Sequence, residues 1–207
     1  MQILKLNSLS FEKSKIVQIV KFLKSNKIVV LPTDTCYGIM GKATDREVVR
    51  KIFKIKGRAF KKPLSCIFWD IKMIKRFAKV DWQNEKLMRK FLPGPVTFIL
   101  PKKNLPDILT AGQKFVGVRI PKNKIIAAVM ARLNFPITAT SANISGKKEP
   151  YSAFDILVQY KNRKFQPDLI VDAGKLRKVK PSTVVKIENS QVRILRLGPI
   201  LENQIKI

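Results

Sequence analysis

The most constraining feature of this chain is an alternation of short apolar runs with amphipathic segments of helical period. "KIVVL" (27–31), "LSCIF" (64–68), "PGPVTFIL" (93–100), "VGVRI" (116–120) and "PITAT" (136–140) are too short for core helices and read as strands. Between them lie helical patterns. Residues 11–25, "FEKSKIVQIVKFLKS", bring Ile16, Ile19, Val20 and Leu23 onto one face. In "TDREVVRKIFKIKG" (44–57), Thr44 is expected to cap the helix, Glu47 to complete a T-x-x-E capping box, and Gly57 to form the left-handed stop. Further helices are predicted near 70–78, 83–91, 122–133 and 152–160, the last capped by Ser152. "PTDTCYGIMGKA" (32–43) reads as a hydroxyl- and glycine-rich loop, and "DLIVDAG", "STVVKI" and "QVRILRL" close the chain with a hairpin-like β region. The pattern predicts an α/β fold: one mixed-sheet domain over 1–207.

Composition narrows the chemistry. With 207 residues, 45% of them hydrophobic, the chain can bury one sizeable core. No apolar run approaches the ~20 residues that span a bilayer, and "MQILKLNSLSFEK" lacks a signal-peptide pattern, so a cytoplasmic protein is expected. The spacing of Cys36 and Cys66 fits neither a disulfide framework nor a zinc motif. With no histidine, Ser-His-Asp and Cys-His chemistry and histidine-based metal sites are excluded. The formal net charge of +28 suits a polyanionic partner, but the lysines are spread along the whole chain, so both nucleic-acid binding and simple compositional bias stay open.

Four polar segments sit at strand ends, where binding groups concentrate. "PTDTCYG" offers Thr33, Asp34, Thr35 and Tyr37. "KIKGRAFKKPLS" (54–65) gathers Lys54, Lys56, Arg58, Lys61 and Lys62; the helix dipole explains the first lysines, whereas Arg58 and Lys62 lie beyond the stop and suit phosphate oxygens. "TATSANISG" (138–146) crowds Thr138, Thr140, Ser141, Asn143 and Ser145. The fourth joins Ser182 of "KPSTVV" and Arg196 of "RILRLG", with Arg119 of "VGVRIP" nearby in type. An arginine inside an apolar strand requires an anion, either a protein carboxylate or a bound one.

Taken in order, "LPTDTCYG", "KGR" with "KKPLS", "LPGPVTFIL", "VRIP", "SANISG", "STVV" and "ILRLG" resemble the YrdC-like family of threonylcarbamoyl-AMP synthases, over roughly residues 10–200. The resemblance implies an α/β fold with an open twisted mixed sheet and flanking helices around a deep, positively charged cavity. It also implies the joining of L-threonine, bicarbonate and ATP into threonylcarbamoyl-AMP, with release of pyrophosphate, for tRNA modification. Magnesium would ride mainly on the triphosphate, with no protein metal site. A downstream threonylcarbamoyl transferase complex, and tRNA itself, are the implied partners. By motif, Lys56, Arg58, Ser141 and Asn143 match the family's catalytic K-x-R and S-x-N set. Arg58, Lys62, Ser141, Asn143 and Arg196 would face ATP, and Thr35, Tyr37, Arg119 and Ser182 would hold threonine, Arg119 on its carboxylate. The chain departs from the family at Pro181, where an acid is common, at "RLG" in place of "RPG", and at Ile67, where some members carry histidine. Two other readings stay open: a non-enzymatic double-stranded RNA- or tRNA-binding protein, and a paralogue of the same fold with another substrate.

Overall fold

The computed structural model describes residues 1–7, 12–188 and 191–205, the side chain of residue 188 excepted. In chain order its elements are β1 (Gln2–Lys5), α1 (Lys13–Lys24), β2 (Val29–Pro32), β3 (Tyr37–Met40), α2 (Arg46–Lys56), β4 (Ser65–Ile67), α3 (Ile71–Phe77), α4 (Trp82–Phe91), β5 (Val96–Pro101), α5 (Asp107–Thr110), β6 (Phe115–Arg119), α6 (Lys124–Met130), β7 (Ile137–Ser141), α7 (Ala153–Tyr160), β8 (Leu169–Asp172), β9 (Thr183–Glu188) and β10 (Gln191–Arg196), followed by a 3-10 turn, Glu202–Gln204.

The strands form one mixed sheet in the order β1-β8-β2-β3-β7-β4-β6-β5-β9-β10. Parallel pairs (β1–β8, β2–β8, β4–β6, β5–β9) are interleaved with antiparallel ones (β2–β3, β3–β7, β4–β7, β5–β6, β9–β10). Helix α1 buries Ile16, Ile19, Val20 and Leu23, the expected face; each such side chain contributes about 1.5–3 kcal/mol relative to exposure. Among the described residues no helix is long and apolar enough to cross a membrane.

The structure corrects four local expectations. Residues 32–43 are not all loop: Tyr37–Met40 is a strand between β2 and β7. All four of its residues are buried, so no polar–apolar alternation marks it, and Gly38 reads as a turn signal. Helix α2 is capped by Asp45 rather than Thr44, its side chain accepting from the Glu47 and Val48 amides at 2.9 and 3.0 Å. A carboxylate there also complements the helix dipole, and the predicted capping box does not form. Helix α6 begins only at Lys124, because Asn123 caps it and the Lys122 amide is turned toward Asp34 Oδ2, 3.2 Å away. Four-residue β1, largely exposed, was too short to register against "MQILKLN". By contrast Ser152 caps α7 as expected, reciprocated by Asp155.

Candidate active site

Five strand-end segments surround a cavity of ≈ 300 Å³. The β2–β3 turn supplies Thr33, Thr35 and Cys36; the segment after α2 supplies Arg58 and Ser65; β6 supplies Arg119; the end of β7 supplies Ser141; and the β9–β10 end supplies Ser182 and Arg196.

Arg58 is delivered by the end of α2. Gly57 adopts φ 57°, the left-handed conformation. Its amide donates to Lys54 O at 3.2 Å and that of Arg58 to Phe53 O at 3.0 Å, the paired bonds of a Schellman turn. The Arg58 guanidinium then donates through Nε to Lys62 O and through Nη2 to Pro63 O, both at 3.0 Å. Two donors thus fix the fork while the side chain still lines the cavity. Burial lowers the Arg58 pKa, yet a guanidinium stays protonated.

One residue before that turn, Lys56 points inward and is only 1% exposed. Its ammonium donates to Ser141 O, to Asn143 O at 2.7 Å and to Asn143 Oδ1 at 3.4 Å. The Lys56 carbonyl accepts from the Ser145 amide at 2.8 Å. Asn143 is held in turn, accepting from Ser141 Oγ and donating through Nδ2 to Lys147 O at 2.6 Å. Burial, aided by the charge on Arg58, pulls the Lys56 pKa down to about 7.

Arg119 ends β6 with its side chain buried, and its anion is Asp34, at 2.6 Å. This answers which anion the strand arginine meets inside the protein. Its Nε–H nevertheless has no hydrogen-bond partner despite burial. On the far wall, Arg196 donates through Nε and Nη2 to Ser182 O (3.1 and 2.9 Å) and through Nη2 to Ser182 Oγ (3.1 Å). Ser182 Oγ also meets Thr97 Oγ1 at 2.8 Å. The β9–β10 register shifts between Ile194 and Arg196, and such a bulge re-aims a side chain. The close approach behind Ser182 requires Gly198: a Cβ there would lie 2.2 Å from Pro181 O. The Arg196 pKa is lowered by burial and then by Arg119. Burial pushes the Cys36 thiol up to about 11, so it is neutral near pH 7 and no nucleophile.

Of the residues singled out from sequence, Thr35, Arg58, Arg119, Ser141, Ser182 and Arg196 line the cavity. Lys56 and Asn143 lie behind the lining and brace it. Lys62 is exposed and contributes its carbonyl to Arg58. Tyr37 is buried away from the lining, its hydroxyl donating to Gly174 O at 2.7 Å and accepting from the Ala173 amide at 3.0 Å. Sequence reasoning passed over Thr97, Glu149 and Tyr151, which also line the cavity. Glu149 carried one signal: an acid directly after two lysines in a chain with 14 acidic residues.

A family model named Sua5_yciO_yrdC, described as "Telomere recombination", matches residues 21–198. The chain belongs to the Sua5/YciO/YrdC family. Within this family a Methanocaldococcus jannaschii protein, whose threonylcarbamoyl-AMP synthase name is provisional, is 39% identical over 204 residues, covering 96% of this chain and 94% of its own. The threonylcarbamoyl-AMP synthase of Bacillus subtilis is 34% identical over 205 residues, 97% of this chain and 58% of the relative. That of Pyrococcus abyssi is 34% identical over 179 residues, 86% of this chain and 52% of the relative. The chain therefore spans nearly all of the first and a little over half of the other two. Among solved structures, P. abyssi Sua5 complexed with L-threonine superposes with a TM-score of 0.88 at 33% identity, covering 96% of this chain and 58% of that one. Escherichia coli YciO gives 0.84 at 26% identity, covering 96% of both. The mixed α/β sheet with flanking helices is thus the Sua5/YciO fold.

Proposed function

We propose that this chain, read as one YrdC-like domain, is a threonylcarbamoyl-AMP synthase: a nucleotidyltransferase that makes threonylcarbamoyl-AMP and pyrophosphate from L-threonine, bicarbonate and ATP. The observation that carries the reading is the convergence of Arg58, Arg119 and Arg196, from three distant segments, with the hydroxyls of Thr35, Ser141 and Ser182 on one cavity. The reactants are crowded with negative charge, and a catalyst gains most by holding them together and offsetting charge as it shifts.

Threonine's amine first joins bicarbonate with loss of water; the resulting carbamate oxygen then attacks the α-phosphorus of ATP, and pyrophosphate leaves. Arg58 and Arg196, with Ser141, face the nucleotide and its phosphates. Arg119, which lines the cavity, takes the threonine carboxylate with its guanidinium. Thr35 and Ser182 receive the rest of the amino acid, while Tyr37, Lys56 and Asn143 act as positioning residues that hold the walls. Among the described residues no group of three Cys, Asp or Glu is gathered that could cage a metal. Magnesium in this reading arrives with ATP, on phosphate oxygens and water. The adenylate is handed in the cytoplasm to a transferase complex that modifies tRNA, and the +28 charge assists approach to acidic partners or tRNA.

The test is incubation with ATP, magnesium, bicarbonate and threonine, with pyrophosphate and the carbamoyl adenylate as readouts. Both are expected, and both should vanish when threonine or bicarbonate is withheld. Pyrophosphate release without threonine would mark a different enzyme, and salt-sensitive RNA binding with no product a binding protein.

A further inference from the structure

The cavity's charge is not uniform. Among the described residues that line it, which include Arg58, Arg119 and Arg196, Glu149 is the one carboxylate. No ion pair is formed by Glu149 among the described residues, although the chain carries 42 lysines and arginines against 14 acids. Its protein contact is a hydroxyl: Tyr151 Oη, also on the lining, lies 3.3 Å from Glu149 Oε2 and 3.4 Å from Val179 O, and donates its single proton to one or the other. Asp34, by contrast, is already committed to Arg119 and to the Lys122 amide.

The backbone around Glu149 is anchored. Pro150 O accepts from the Tyr37 amide at 3.0 Å, the Tyr151 amide donates to Asp155 Oδ2 at 2.9 Å, and Tyr151 O accepts from the Leu176 amide at 2.7 Å. Glu149 is therefore presented from a fixed frame to the same hollow as Arg119. The Cys36 thiol, on the same lining, feels both charges, Glu149 raising its pKa and Arg119 lowering it. Arg119 and Glu149, an anion acceptor and a cation acceptor, thus line one cavity.

We propose that Glu149 is the acceptor for the α-ammonium of the amino-acid substrate, opposite Arg119 on its carboxylate. This rests on the synthase reading above. A zwitterion complements a wall bearing the Arg119 guanidinium and a carboxylate outside any ion pair among the described residues, whereas a dicarboxylic acid would set a second carboxylate against Glu149. A site built to bond an ammonium rejects the analogue that lacks it, because its own polar group is left unpaired. Glu149 therefore selects α-amino acids from the corresponding α-hydroxy acids and fixes the position of the substrate nitrogen.

The test measures binding of L-threonine and of its 2,3-dihydroxybutyrate analogue to the full chain by calorimetry, without nucleotide or metal, for wild type and Glu149→Gln. Wild type is expected to bind threonine, and the near-isosteric variant to bind it about tenfold or more weakly, with the hydroxy-acid analogue weak and equal in both. Binding of a magnesium–nucleotide analogue should be unchanged, and Glu149→Asp should recover part of the threonine affinity. Tyr151→Phe, which keeps the carboxylate, should weaken threonine binding by only about two- to threefold. If Glu149→Gln binds threonine like wild type while its magnesium–nucleotide affinity falls, the carboxylate serves the metal and the proposal is overturned. If wild type forms the adenylate and the variant keeps its threonine KM, this inference fails and the synthase reading stands. If wild type neither binds threonine nor forms product, both fail.

Discussion

The ammonium of Lys56 donates to the main-chain carbonyl of Asn143 across 2.7 Å, tying the end of α2 to the segment after β7. Two stretches separated by 85 residues or more in sequence are joined by one side chain that also holds Ser141 O. Lys56→Met removes the donor and leaves buried carbonyls unmet, at a cost of about 1–3 kcal/mol, or roughly 2–12 °C in Tm for a chain of this size. Thermal unfolding checks the loss, and ATP KM should rise with it as Ser141 shifts.

The same lysine predicts a pH dependence. Its pKa is about 7 in the folded protein against an ordinary 10.5. Between those values the unfolded chain binds more protons, so folding stability gains from Lys56 as pH rises through this window. The gain is complete above the unfolded value and lost as pH falls through about 7. The stability difference between wild type and Lys56→Met in denaturant titrations should therefore be larger at pH 9 than at pH 6.5, roughly bracketing the lower half of the window.

Arg58→Ala should lower kcat/KM by about a hundredfold or more, in the range seen when a charge-stabilising donor is removed, while Tm moves by only ~2–4 °C. Arg58→Lys should also be impaired, because a single ammonium cannot bridge Lys62 O, Pro63 O and a phosphate together. Steady-state kinetics with calorimetry separates the two effects; a fully active alanine variant would contradict the role.

The Arg119–Asp34 pair separates binding from folding. Asp34→Asn leaves a buried guanidinium uncompensated and should cost about 3–5 kcal/mol by denaturant unfolding. Arg119→Lys keeps a cation for Asp34 but loses the fork, and should raise threonine KM about tenfold with ATP KM unchanged.

Gly198→Ala forces a methyl group against Pro181 O and the Thr183 amide, 2.2 and 2.4 Å from the new carbon. A backbone shift must follow, costing about 1–3 kcal/mol, and it displaces Ser182 and with it the Arg196 contacts. Unfolding and threonine KM should both register it.

How much of this was readable beforehand follows from the physics of each element. The α1 face was legible because a helix buried on one side leaves a period in the sequence. Strand β3 was not, since it is buried on both faces and carries a glycine. Arg58 stood out as a cation beyond a helix stop, and its place on the cavity follows from Gly57. Lys62 carried the same signal, yet its charge points to solvent and its carbonyl does the local work. Whether an arginine inside a strand meets its own protein or a ligand is a question of tertiary proximity; Asp34 is 85 residues away from Arg119 and no local pattern links them. Glu149 carried too weak a signal: a lone acid after two lysines is ordinary until the fold shows what it faces.

The order in which the walls occur along the chain has a consequence for biosynthesis. Thr35 is made long before Arg196, yet both border one hollow, and β10 lies against β9. The hollow therefore has all its walls only once β10 is made and has carried Arg196 into place beside Ser182.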